Sequence, residues 1–527
     1  MTVRAAVVGS GPNGLVAACL LARAGWRVTV YEQAEAPGGA LRSGELLAEG
    51  VLSDYGASVF PFRESSMAFR ELPLEDYGLE WAVPEVAAAQ GIDGAADGRP
   101  EPPVLLHQDM ERTAEGLEDD AERWRRIFGP LLENWSEVGR AALGPPTRPF
   151  ANGGSSSPLK RLRAFMQLGA RGAWPATAVN QTFQDDRTKA FFAGLAGHAT
   201  MPLGNPLSGA FGVMMGATGH MTGWPFARGG SGEVTRALVA DLEAHGGEVR
   251  TRFEVSGIKD VALTGGRCGV RRNLKARGYR IDGRAAATGR GPRRRSSSEV
   301  ADVVVLDLTP RQLLRMDGLQ MPERYRRAMR RWNYGPGIVK VDYLVDGPIP
   351  WTHEEMGHAG TVHLGGSAAQ LAGAEAAVAE GVLPGRPYVL LAQPSVADPG
   401  RTGDHRHVTW AYAHVPPETS EASAQRAAQM VDAEIERQAP GFQGEVLARR
   451  VWTPQDLESW NPNLVGGAIS GGAPTLRQFV SRPAAPLDPY SSGMEAVYLC
   501  SASTPPGGGA HGMGGYNAAQ RILKEYT

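Results

Sequence analysis

The sequence predicts an α/β fold in which one nucleotide-binding domain is assembled from separate stretches of chain, with an α+β domain inserted between them. Three observations predict it. The chain opens on the apolar run Ala5-Ala6-Val7-Val8, followed by Gly9-Ser10-Gly11-Pro12-Asn13-Gly14. The same strand-and-helix rhythm returns over residues 229–255 and leads to an apolar strand at 301–308. A last strand, Val497-Tyr498-Leu499-Cys500, then runs into a glycine-rich turn and a final helix from about Gly514.

Each piece of the opening has a physical task. Gly9 makes the tight turn, Gly11 lets the backbone approach a pyrophosphate, and Gly14 lets the helix pack closely on the strand. Pro12 and Asn13 begin that helix, whose N-terminus faces the phosphates. The helix is rich in alanine and leucine, Gly25 ends it, and Val28-Thr29-Val30-Tyr31 leads to Glu32. An acid at that place accepts hydrogen bonds from a ribose 2′-hydroxyl and repels a 2′-phosphate, which argues against NADP. A lone glycine motif is a weak signal, whereas a complete βαβ unit with its terminal acid is a strong one.

With 527 residues the chain has length for two to three domains. A formal net charge of -2 gives no basic field for nucleic acid. Cys19, Cys268 and Cys500 are far apart and form no CxxC, so a disulfide framework, a zinc site and a dithiol centre are all unsupported. The first apolar run is too short for a signal peptide, and no run of 18 or more apolar residues occurs. The expectation is a cytoplasmic protein.

Residues 1–60 read as the first segment of the nucleotide-binding domain and 61–220 as a mostly helical cap over a substrate. The second segment of the domain spans 221–334. There Gly229-Gly230-Ser231-Gly232 precedes a helix with Val234, Leu238 and Leu242 on its apolar face. Residues 335–460 alternate in hydropathy, as at 338–345 and 408–414, and predict an antiparallel sheet with a helix at Glu421–Gln438. Residues 461–527 return to the nucleotide-binding domain.

Read together, the two ends carry a resemblance. The opening βαβ followed by Gly38-Gly39 resembles the FAD-binding start of the glutathione-reductase-type flavoproteins, a Rossmann domain. The segment 498–512, with Thr504-Pro505-Pro506-Gly507-Gly508-Gly509 and His511-Gly512, resembles the second flavin-contacting segment of bacterial phytoene desaturases and their relatives. Residues 463–472, Arg482-Pro483 and 514–519 match the same group. The resemblance implies FAD held non-covalently. It implies cofactor contacts by Gln33, Gly38, Gly39, Ala40, Leu41, Arg42, Gly56, Ala57 and Ser58, and an adenine held by the backbone of Val255. Ala502, Thr504, Gly512 and Met513 would line the flavin and its ribityl chain. Ser501-Ala502-Ser503 stands where many flavoproteins carry an acid. A second GxGxxG and a redox cysteine pair are absent, as is the Gly-Glu strand terminus usual in flavin amine oxidases.

The implied activity is removal of hydride from a C–C position of an apolar, isoprenoid-like substrate, with oxygen or a quinone reoxidising the flavin. Oxidation of C–N or C–O bonds in a secondary metabolite and a non-catalytic flavoprotein scaffold stay open beside it.

Among single residues, His511 lies inside the flavin-contacting turn. It either contacts the ring and moves a proton, as a catalytic residue, or is a loop histidine with a solvated ring. His198, in an apolar stretch, reads as a core histidine, while packing explains Tyr516 and Asn517 as well as catalysis does. In His353-Glu354-Glu355-Met356-Gly357-His358 the second histidine is one position too far to share a helical face, so no metal site is expected. Met201, Met214, Met215 and Met221 suit either a helical core or the lining of a cavity for a long apolar substrate. The insert 266–300, with Arg271, Arg272, Lys275 and Arg293-Arg294-Arg295, reads as a solvated insertion or as a peripheral contact with anionic lipid.

Overall fold

The computed structural model describes residues 2–94, 100–145, 164, 166–167, 169, 173–262, 277–285, 296–484 and 487–526. Its first sheet has five parallel strands in the spatial order Val497–Leu499, Val303–Leu306, Arg4–Val8, Arg27–Tyr31 and Glu248–Arg250. Chain ends and middle therefore meet in one sheet, and Val7 sits opposite both Val305 and Val30. Successive side chains point to opposite faces. Ala5, Val7 and Val305 join the core under the helices Pro12–Arg23, Gly232–Ala244 and Met513–Tyr526. Ala6, Val8, Val304 and Leu306 meet a three-stranded antiparallel meander on the other face. Cover on both faces is why these strands read as continuous apolar runs.

Two glycines set the helix packing. A Cβ on Gly14 would lie 2.2 Å from the Gly9 carbonyl oxygen, so the opening helix reaches the turn only without one. A Cβ on Gly515 would lie 1.8 Å from the Asn13 carbonyl oxygen, so the first and last helices meet backbone to backbone.

The meander consists of Phe253–Ala262, Arg277–Ala285 and Ser296–Ala301. Its last two strands run through the basic insert. Within them Arg280 binds Asp282 at 2.9 Å, while Arg271, Arg272, Lys275 and Arg293 to Arg295 lie outside the described residues.

The second sheet has seven strands in the order Val446–Trp452, Gly337–Val345, His407–Val415, Val389–Ala392, Ala359–Leu364, Val86–Asp93 and Pro100–Leu106. All neighbours are antiparallel except Ala359–Leu364 beside Val86–Asp93. The last two strands fall within 61–220, a stretch read from sequence as mostly helical. Val86-Ala87-Ala88-Ala89-Gln90 is buried throughout, so no alternation marked it as a strand. One face of the sheet packs on helix Glu421–Gln438 through Val339, Val341, Ala411 and Ala413. The opposite face presents Ile338, Leu390, Trp410 and Tyr412 toward helices Asp186–Gly197 and Ser208–Thr222. Among the described residues no helix is long and apolar enough to cross a membrane.

Candidate active site

A cavity of about 1140 Å³ runs between the parallel-sheet domain and the cap. Small-ligand sites usually occupy ~300–1,000 Å³, so this one has room for a dinucleotide and part of a second molecule. Gly9, Gly11, Pro12, Asn13, Glu32, Gln33, Gly39, Ala40, Leu41, Arg42, Gly56, Ala57, Ser58, Val255, Ala502 and His511 all line it. Gly14, Gly38, Thr504, Gly512 and Met513 stand behind that lining. The Gly38 N–H donates to the Ser10 carbonyl at 3.0 Å, and the Thr504 hydroxyl donates to the Ser501 carbonyl at 2.7 Å. Met513 is buried in the helix core.

Glu32 stands beyond the second strand and is held in place. One of its oxygens accepts from the Ser10 N–H at 3.0 Å and hydroxyl at 2.7 Å, and the other accepts from the Ala34 N–H at 2.8 Å. The oxygen that accepts from Ala34 keeps a lone pair for a ribose hydroxyl. Arg42 lies over the Trp460 ring at 4.6 Å and donates to the Gly39 carbonyl at 3.2 Å.

Asp307, straight after strand Val303–Leu306, went unnoticed in the sequence. Its carboxylate accepts from the Gly14 N–H at 3.1 Å, at the N-terminus of the opening helix. Burial pushes it up to about 7, Glu32 adds to this, and the Gly14 and Gly11 N–H groups oppose it.

The glycine-rich turn is clasped from two sides. Arg482, buried and with no carboxylate beside it among the described residues, donates to the carbonyls of Ala502 at 3.0 Å and Ser470 at 3.3 Å. Burial lowers its guanidinium to about 10. His511 is buried, and burial lowers it to about 4, so it is neutral. Its Nδ1 accepts from the Met513 N–H at 3.1 Å, and the ring also bonds the Gly508 backbone. The ring therefore braces the turn through backbone contacts.

Asp54 joins the domains. It accepts from the Ser43 and Ser58 hydroxyls at 2.6 Å each and from the Ser231 N–H at 2.8 Å. It also pairs with the wholly buried Arg401 at 2.7 Å. Trp410, on the sheet wall, donates to the Ser58 hydroxyl at 2.8 Å.

That wall and the helices facing it contribute Met214, Met215, Trp224, Ile338, Leu390, Trp410 and Tyr412 to the cavity. His198 lines the cavity as well, where the sequence had suggested a core position. Of the other histidines, His414 is buried against Glu375 at 2.9 Å, and His405 is exposed beside Asp346 at 2.7 Å. Among the described residues no group of histidine, cysteine and acid side chains is arranged to hold a metal ion.

Residues 7–72 match the NAD(P)-binding Rossmann-like domain family. The chain is 26% identical over 568 residues to pyridine nucleotide-disulfide oxidoreductase domain-containing protein 2 of Rattus norvegicus, covering 99% of this chain and 93% of that one. It is 28% identical to hydroxyneurosporene desaturase of Rubrivivax gelatinosus, over 51% of this chain and 50% of the other. Among solved structures, an oxidoreductase from Methanosarcina mazei aligns with a TM-score of 0.61 at 15% identity, over 99% of this chain and 100% of that one. Putrescine oxidase bound to putrescine aligns with a TM-score of 0.59 at 17% identity, over 100% and 99% of the two chains. These likenesses establish the two-domain fold with its Rossmann-type cofactor domain. By fold and by site the chain is an FAD-dependent oxidoreductase.

Proposed function

We propose that the protein removes hydrogen from a carbon centre of a mostly apolar, neutral substrate, as a desaturase does. One observation carries this reading. The cavity continues from the dinucleotide cradle onto a wall of Met214, Met215, Trp224, Ile338, Leu390 and Trp410. The acids on the described lining, Glu32, Glu254 and Asp307, belong to the Rossmann domain and its meander. Among the described residues the only charged lining residue on the sheet wall is Lys340, already paired with Asp342. A cationic amine finds no counter-charge on this wall, so the likeness to putrescine oxidase extends to the fold and not to its substrate.

Bound FAD supplies a two-electron acceptor for hydride. The chain's own residues do the rest. The Gly9–Gly14 turn and Glu32 hold the nucleotide half. Arg482 and His511 fix the glycine-rich turn, and Arg482 adds a positive charge there. The apolar wall excludes water from the bond to be oxidised. The second hydrogen leaves as a proton, and oxygen or a quinone takes the electrons afterwards.

The test is anaerobic bleaching of the yellow holoprotein by isoprenoid hydrocarbons and alcohols, followed by readmission of oxygen or a soluble quinone. Bleaching by apolar compounds with an unsaturated product is expected. Bleaching by diamines alone would overturn the reading.

A further inference from the structure

His198 and His363 face each other across the seam between cap and sheet, and the chemistry above uses neither. His198 caps the C-terminus of helix Asp186–Gly197, and His363 sits within strand Ala359–Leu364. Their Nε2 atoms are 2.9 Å apart, with ring centroids at 5.0 Å and planes at 80°. Trp224 packs edge-on against His198 at 5.3 Å. Burial lowers His198 to about 3 and His363 well below its ordinary value, so both rings are neutral. In a neutral pair one Nε2 donates and the other accepts.

The surroundings of His363 decide which. A Cβ on Gly194 would lie 2.2 Å from Gln90 Oε1 and 3.0 Å from His363 Nδ1, so both atoms border one small space. Neither makes a hydrogen bond among the described residues, to the other or to any further group. The Gln90 amide N–H donates to the Gly91 carbonyl at 3.1 Å, which leaves Oε1 as the atom turned to that space. An acceptor there favours a proton on His363 Nδ1. His363 Nε2 is then the acceptor, His198 Nε2–H the donor, and His198 Nδ1 carries a bare lone pair. His198 is part-buried and lines the cavity, and its Nδ1 has no partner among the described residues.

We propose that His198 Nδ1 accepts a hydrogen bond from a neutral hydroxyl of the substrate, so that the substrate is an apolar alcohol and not a bare hydrocarbon. The proposal rests on the reading of this wall as the chamber for an apolar substrate. A carboxylate or a carbonyl has no proton to give. An ammonium would bring a charge to a wall whose one charged group is a lysine. His363 and Gln90 act as positioning residues that fix the tautomer.

The test titrates the holoprotein with geraniol, farnesol and geranylgeraniol, the methyl ether of each, and the matching hydrocarbons. Binding is read from the perturbation of the flavin absorption. One well-placed neutral hydrogen bond corresponds to a preference of about tenfold for the alcohol. The preference for alcohol over hydrocarbon disappears in His198→Leu with FAD content unchanged, and returns in part in His198→Gln, which restores an acceptor. Equal binding of alcohol and hydrocarbon overturns the hydroxyl anchor while leaving the apolar chamber standing. Failure of every compound to bind removes both. A wild-type imidazole ¹⁵N spectrum is the second measurement, with His198 Nδ1 expected bare; a protonated Nδ1 overturns the proposal whatever the variants do.

Discussion

Replacing Asp307 by Asn isolates one proton. The carboxyl is buried at the N-terminus of the opening helix and is raised from 3.8 to about 7, chiefly by burial. The unfolded chain gives up this proton near pH 4, whereas the folded protein keeps it until about pH 7. Between those values the native state binds more protons, so stability falls as pH rises through the window. The displacement corresponds to roughly 4 kcal/mol, lost in full above about pH 7. A pyrophosphate at the same helix end adds negative charge, raises the acid further and makes binding take up a proton. FAD affinity of the wild type then weakens above about pH 7 by up to tenfold per pH unit. Asp307→Asn keeps the shape and loses the proton. Its melting temperature should exceed the wild type's by a margin that widens as pH rises to about 7 and is constant above it, and its FAD affinity should be flat with pH. Thermal melts and recovery of FAD fluorescence, run from about pH 5.5 to about pH 9, read both quantities. The same pH slope in variant and wild type would refute the assignment.

Three further perturbations test the frame around the site. Asp54 is held below its ordinary value by Arg401 and the surrounding hydroxyls, against its own burial. Its contribution is thus present at neutral pH and lost as pH falls below the carboxylate range. Asp54→Ala leaves Arg401 with the more distant Asp398 at 3.3 Å and should cost about 3–5 kcal/mol in denaturant unfolding. Gly515→Ala drives a methyl into the Asn13 carbonyl and should cost near the upper end of ~1–3 kcal/mol, with FAD released more easily. Gly373→Ala, in helix Ala368–Ala379 with nothing within 4 Å of the added carbon, should instead stabilise by ~0.5–1 kcal/mol.

Local signals were readable in the sequence. The glycine turn, Glu32, helix Glu421–Gln438 and the strands around 338–345 and 408–414 each announce themselves within a few residues. Strand Val86–Asp93 did not, because burial on both faces erases the alternation that marks a half-exposed strand, and in Pro100–Leu106 the prolines at 100, 102 and 103 mask the strand signal. Asp307 looked like any residue after a strand; what distinguishes it is the Gly14 N–H, 293 positions away. His198, read as a core histidine, is part-buried and paired, but its place on the cavity wall was hidden for the same reason. Its partner His363 lies 165 residues downstream, and only the crossing of cap and sheet brings them together. Arg401 and Asp54 are separated by 347 positions, and nothing near either reveals the pair.

The contact between the first and last helices has a consequence for how the protein is made. The Gly515 N–H donates to the Asn13 side chain across 502 positions. At translation speeds of ~5–20 residues per second, the opening helix waits at least about 25 s for the helix that covers it. Until then Val16, fully buried in the finished fold and packed beside Gly512, lacks its final cover. The last strand of the parallel sheet and the glycine-rich turn emerge about as late, so the cofactor cleft stays unfinished over the same interval. Flavin supply matters most once that turn has emerged, and flavin-starved cells should show the shortage first as aggregation of newly made chains and only later as lost turnover in old ones.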